Sequence, residues 1–145
     1  MADAGRDEIV AELNALLEAE RAGARVGAAL VEQARGERFK ALASVIHDDE
    51  VKWARMLFEQ LKALGAEPSD KVGDFYERAL AIPDFEGRVA FTNRGQGWVV
   101  RKLRELTPRV ADDALRGHLQ EMLDAHVTNI DAANATLAEA GGAAG

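Results

Sequence analysis

Residues 65–84 read GAEPSDKVGDFYERALAIPD, and this stretch decides the fold. It is too long for a turn between neighbouring helices of a bundle and too apolar at its centre for a disordered linker. It predicts a crossover carrying one short helix around Phe75 to Ala81. Upstream, Phe39, Leu42, Ile46, Trp53, Leu57, Leu61 and Leu64 recur at helical spacing until Gly65, with Pro68 beyond. Before that, Ile9, Leu13, Leu16, Gly23, Gly27, Leu30 and Ala34 define a first amphipathic helix ending near Gly36. Two helices joined so tightly pack as an antiparallel hairpin. Downstream, Asp84 is placed to cap a third long helix through Val89, Thr92, Gln96, Val99, Val100, Leu103 and Leu106, which Thr107-Pro108 breaks. A fourth carries Leu115, Leu119, Met122, Leu123, His126, Ile130, Ala133 and Leu137 before a GGAAG tail expected to fray. The plan is hairpin, crossover, hairpin: one all-α domain over 1–145, ordered over about 7–140.

Composition agrees. The 145 residues are 48% hydrophobic, with only 3 prolines and 6% aromatics, which favours helix and supplies one sizeable core. A formal net charge of -7 argues against a general affinity for nucleic acid or an anionic membrane. The chain contains no cysteine, which excludes disulfides, thiolate chemistry and Cys-ligated zinc or iron–sulfur centres. No apolar run approaches the ~20 residues of a membrane span, and the start, MADAGRDE, is acidic rather than a basic leader. A cytoplasmic location is the expectation.

The informative residues are polar ones on apolar seams, because a buried charge needs a partner or a proton. The seam of the first helix includes Glu20, and that of the second includes Glu50, one turn after Ile46. Gln96 lies on the third between Thr92 and Val100, and His126 on the fourth between Met122 and Ile130. Mid-helix groups in an antiparallel bundle share a height, so the four are expected to converge. Two carboxylates in a low-dielectric interior stay ionised together only around a positive charge; otherwise they share a proton. Glutamate oxygens with a neutral imidazole suit Fe(II) or Mn(II) and leave coordination positions open.

The residues LNALLEAERAGA (13–24) and DDEVKWARML (48–57) resemble the first- and second-helix ligand segments of the ferritin-like superfamily, in particular bacterioferritin and rubrerythrin. The long crossover is similar too, so the resemblance covers nearly the whole chain. The run NRGQGWVVRKL (93–103) further resembles an uncharacterised ferritin-like family of bacterial proteins. The resemblance implies a four-helix bundle in which Glu20, Glu50 and His126 bind metal. Each Glu-x-x-His motif is halved: Trp53 stands where a histidine belongs after Glu50, and Leu123 where a glutamate belongs before His126. Gln96, or Asn93, occupies the region of a third-helix carboxylate. A family site uses about six ligands, so the implied centre is half complete.

Alternatives remain at each position. Glu20 and Glu50 can turn outward to Arg25, Arg55 or Lys52; His126 can be a satisfied core histidine. Trp53 fills the core or walls the pocket as a cofactor contact, and Gln96 orients a water or substrate. His118 and Glu121 fall off the seam, while His47, followed by Asp48 and Asp49, reaches at most the pocket's edge. Gly95 and Gly97 weaken the third helix by about 1 kcal/mol each relative to alanine. Their expected role is close approach by a neighbouring helix, with space for a ligand as the alternative. Three functions follow: a metalloprotein acting on dioxygen, peroxide or a small molecule, a metal-free bundle serving binding or assembly, or a bundle whose glycine-lined interior holds a small organic ligand. A homodimer through a helix face is expected in each case.

Overall fold

A computed structural model describes residues 2–144, with side chains through residue 141. Five α-helices account for most of it: α1 (Arg6–Gln33), α2 (Glu37–Ala63), α3 (Phe75–Leu80), α4 (Phe85–Leu106) and α5 (Asp113–Ala144). No strand occurs among the described residues, and no helix among them is long and apolar enough to cross a membrane. The helix boundaries have local causes. Gly65 adopts φ 72°, and Ala66 N–H donates to the Leu61 carbonyl while Gly65 N–H donates to that of Lys62. This paired closure ends α2 where a residue with a Cβ would be strained. Asp84 caps α4 by accepting from Gly87 N–H at 2.7 Å. A 3-10 turn at Thr107–Arg109 ends that helix. α5 continues to Ala144, into the glycine-rich segment expected to fray; Gly145 of that segment lies outside the described residues.

Four long helices form an antiparallel bundle. The start of α1 meets the end of α4, where Arg109 pairs with Glu8 at 2.8 Å and Ala4 N–H donates to the Arg109 carbonyl. At the other end Arg88 of α4 binds Gln33 of α1 at 2.9 Å. Arg38 at the start of α2 pairs with Glu139 near the end of α5. α1 packs against α2 and α4, and α5 packs against the same two helices, so α1 and α5 occupy one diagonal and α2 and α4 the other. The segment 64–84 therefore joins diagonal partners and runs from one end of the bundle to the other. Asn14 holds it by accepting from Ser69 N–H at 2.7 Å, and Arg88 donates to the carbonyls of Ile82 and Leu80 at 2.6 and 3.0 Å. Between these anchors α3 lies against α1 and α4.

The core has two apolar parts. The larger contains Leu13, Leu16, Trp53, Leu57, Leu103 and Met122; the smaller contains Val26, Leu30, Ile46, Ala79, Val89 and Ala133. Along every long helix the residues separating these two parts are the polar seam positions. Glu20, Glu50, Gln96 and His126 are buried at 1%, 3%, 3% and 1% exposure.

Candidate metal centre

Periodicity delivers each of these side chains to the bundle interior, and the diagonal arrangement brings them together. Glu20 and His126 belong to diagonally placed helices whose backbones do not approach closely, and their side chains meet across the core, His126 Nε2 lying 2.9 Å from Glu20 Oε1. Glu50 Oε1 is 3.9 Å from the same nitrogen. One ligand atom from each of the three side chains can be chosen so that all lie within 4.8 Å of one another. Gly23 makes this possible from the α1 side: a Cβ there would stand 2.9 Å from Glu50 Cδ. A bare backbone one turn beyond Glu20 is what lets the second carboxyl lie flat against α1.

The neighbours define the protonation states. His126 Nδ1 lies 2.8 Å from the Met122 carbonyl. A carbonyl only accepts, so Nδ1 carries the hydrogen, and in the neutral ring the lone pair is on Nε2, facing the carboxylates. Nε2 and Glu20 Oε1, though close, lack the alignment of a hydrogen bond. Both atoms, with Glu50 Oε2, are buried without a partner. No Lys or Arg forms an ion pair with Glu20 or Glu50 among the described residues. Arg25 lies over the Tyr76 ring at 4.2 Å and Lys52 over Trp53 at 4.6 Å. Burial pushes Glu20 up to about 7, a hydrogen bond shared with Glu50 opposing it and Asp49 adding to it. Glu50 is raised well above its ordinary value by burial first, then by the charge of Glu20 and the shared hydrogen bond, with His126 opposing. Without a cation, burial of the pair favours one shared proton over two charges.

One carboxyl oxygen from each of Glu20 and Glu50 and an imidazole nitrogen of His126, converging from three buried side chains, suit a divalent metal ion. The tautomer is already the one ligation needs. The group of three is thus able to hold a metal.

Around it, Gln96 lines the same region, and both atoms of its amide are buried without a partner. A cavity of about 520 Å³ opens beside Glu20, Glu50 and Gln96, bounded by α1, α3 and α4. Trp53 does not line this cavity. It packs in the larger apolar part with its indole N–H unpartnered. Asn93 is turned to Asn134, to which it donates at 2.9 Å. His47 bonds Asp48 at 3.0 Å and stands outside the cluster.

The glycine expectation needs correcting. Gly27 does permit close helix approach, since a Cβ there would lie 2.9 Å from His47 Cα. Gly95 does not serve a bundle neighbour: a Cβ would lie 2.7 Å from the ring of Phe75, which the crossover lays over it. Gly97 meets only Arg101 Nη1 at 3.6 Å, and nothing in the structure requires glycine there.

Sequence reasoning also missed two features. Asn129, one turn after His126, is buried and donates to Asp49 Oδ2 at 2.8 Å, linking the helices beside both ligands. Its seam position was the available signal. Phe75 and Phe91 stack at 4.8 Å along the cavity; their meeting depends on how the crossover docks, which no local pattern encodes.

Fold and site together define a class: an all-helical bundle protein whose buried Glu–Glu–His group can hold a metal ion. The chain belongs to the family described as Domain of unknown function (DUF6306), which matches residues 7–135. Neither a curated protein nor a solved structure matches it.

Proposed function

We propose that this protein is a ferritin-like metalloprotein that holds Fe or Mn between Glu20, Glu50 and His126. The observation that carries the proposal is the set of unpartnered atoms, Glu20 Oε1, Glu50 Oε2 and His126 Nε2, buried with no Lys or Arg paired to either carboxyl among the described residues. An oxygen-rich set with one imidazole suits these metals, and the crossover topology supports the likeness to the ferritin fold. Three protein ligands leave positions for an exogenous molecule, and a redox-active ion there supplies electron transfer to dioxygen or peroxide. The chain's own residues do the rest. Glu20 and Glu50 balance the charge, Met122 fixes the imidazole through its carbonyl, and Gln96 offers one donor and one acceptor to a water or substrate. Loading gives up the proton that the carboxyl pair shares, so uptake strengthens as pH rises.

Reconstitution with Fe(II) or Mn(II) followed by elemental analysis tests the reading. About one equivalent per chain is expected, lost in Glu20→Ala and in His126→Ala. Wild-type protein with no metal above background refutes it.

A second reading rests on the raised Glu50 carboxyl. A pair sharing one proton is tolerable without metal, as in a degenerate bundle used for binding or assembly. Metal-independent stability in the same reconstitution favours it.

A further inference from the structure

The cavity beside the candidate centre has features that metal binding does not use. Its walls are aromatic: Phe75 and Phe91 stack, and Trp98 stands 36% exposed at the rim. Two guanidinium groups line it. Arg78 from α3 and Arg94 from α4 lie 5.5 and 5.6 Å from the Phe91 ring centroid. Both residues are exposed, and neither has an ion-pair partner among the described residues. Glu18 and Asp74 also line the cavity without pairing to either arginine. At the inner end, the Gln96 amide is 3% exposed with donor and acceptor both unmet. A buried amide left so is costly unless something supplies its hydrogen bonds. The volume, about 520 Å³, lies within the range of small-molecule sites.

These features order a ligand along the cavity. The arginines at the mouth select an anionic group, since guanidinium pairs well with carboxylate. The aromatic walls select a flat apolar body. The inner end, next to Glu20 and Glu50, offers the unmet Gln96 amide to a neutral group that donates and accepts. We propose that this cavity binds a small aromatic carboxylic acid, its acid group held by Arg78 and Arg94 and a hydroxyl at its far end held by Gln96. Binding of this kind extends the metal reading without depending on it, because none of the three residues is a proposed ligand.

The test is calorimetric titration of chelator-treated protein with 4-hydroxybenzoate, benzoate and phenol. Saturable binding of 4-hydroxybenzoate at one site per chain is expected, with phenol weaker. The Arg78→Gln/Arg94→Gln double variant weakens 4-hydroxybenzoate about tenfold or more. Gln96→Leu removes the preference for 4-hydroxybenzoate over benzoate while leaving benzoate binding intact. All three substituted residues can be exchanged without opening the apolar core, and circular dichroism checks the fold. Absence of saturable binding in both chelated and metal-loaded protein overturns the proposal; so does binding that the double variant and Gln96→Leu leave unchanged. Metal content, measured on the same samples, separates the two readings. Acid binding by chelated protein survives failure of metal uptake, and uptake without acid binding removes this proposal alone.

Discussion

The two apolar parts of the core are built differently. The larger, toward the start of α1, is a layer of leucines from all four long helices, with Leu13, Leu16, Leu57, Leu61, Leu103 and Leu119 at 0% exposure. The smaller sets Leu30, Leu42 and Ile46 among the slighter Val26, Ala43, Ala79, Val89 and Ala133, and draws Phe39, Phe75, Phe85 and Phe91 from its margins. One is closed by bulky aliphatic side chains; the other is completed by aromatics from the crossover and helix edges. The polar layer sits between them, and the cavity opens beside α3, on the side of the smaller part. The contrast teaches that stability is concentrated at one end, which leaves the middle able to carry two buried carboxyls and an unpaired amide.

Substitutions can break that contrast. Leu57→Ala, in the closed part, is expected to destabilise by about 3 to 5 kcal/mol in chemical denaturation. Leu42→Ala, in the smaller part and already 7% exposed, is expected nearer 2 kcal/mol. Equal losses would show that the two parts contribute alike.

A smaller effect isolates the polar layer. Gly23→Ala places a methyl group against the Glu50 carboxyl and is expected to destabilise by about 1 to 3 kcal/mol. In a Glu50→Ala background the obstruction is gone and the better helix propensity of alanine remains, so the same substitution becomes neutral or stabilising by up to about 1 kcal/mol. If Gly23→Ala has the same effect in both backgrounds, the glycine does not serve the carboxyl.

The smallest effect per step is the response to pH. Glu20 and Glu50 bind protons more tightly folded than unfolded. Their contribution to metal-free stability is therefore complete below the ordinary carboxyl range near 4.5 and declines as pH rises, through about 7 for Glu20, with Glu50 raised in the same direction. Each group contributes a slope of at most about 1.4 kcal/mol per pH unit. Glu50→Gln flattens the decline; a wild-type profile that rises between pH 5 and 7 contradicts the assignment.

Much of this layout is legible in the sequence because it is local and periodic. Glu20, Glu50, Gln96 and His126 each interrupt an apolar seam at helical spacing, and all four are buried. Gly65, Asp84 and Thr107-Pro108 mark boundaries through backbone chemistry that acts within a few residues. The cavity is illegible for the opposite reason. It forms where Phe75, from a six-residue helix in a connecting segment, lands on Gly95 of another helix. Gly95 signals missing bulk without saying what fills the space. Trp53 illustrates the same limit: its seam position is correct, but whether it faces the cavity or the leucine layer depends on the helices around it.

The central claim is that Glu20, Glu50 and His126 meet around a metal ion. The most direct measurement is anomalous diffraction from crystals grown with Mn(II), collected where manganese scatters anomalously. The account predicts one strong peak between α1, α2 and α5, within bonding distance of both carboxyl groups and His126 Nε2. A map with no peak there, or with density only on surface acids such as Asp48 and Asp113, contradicts it.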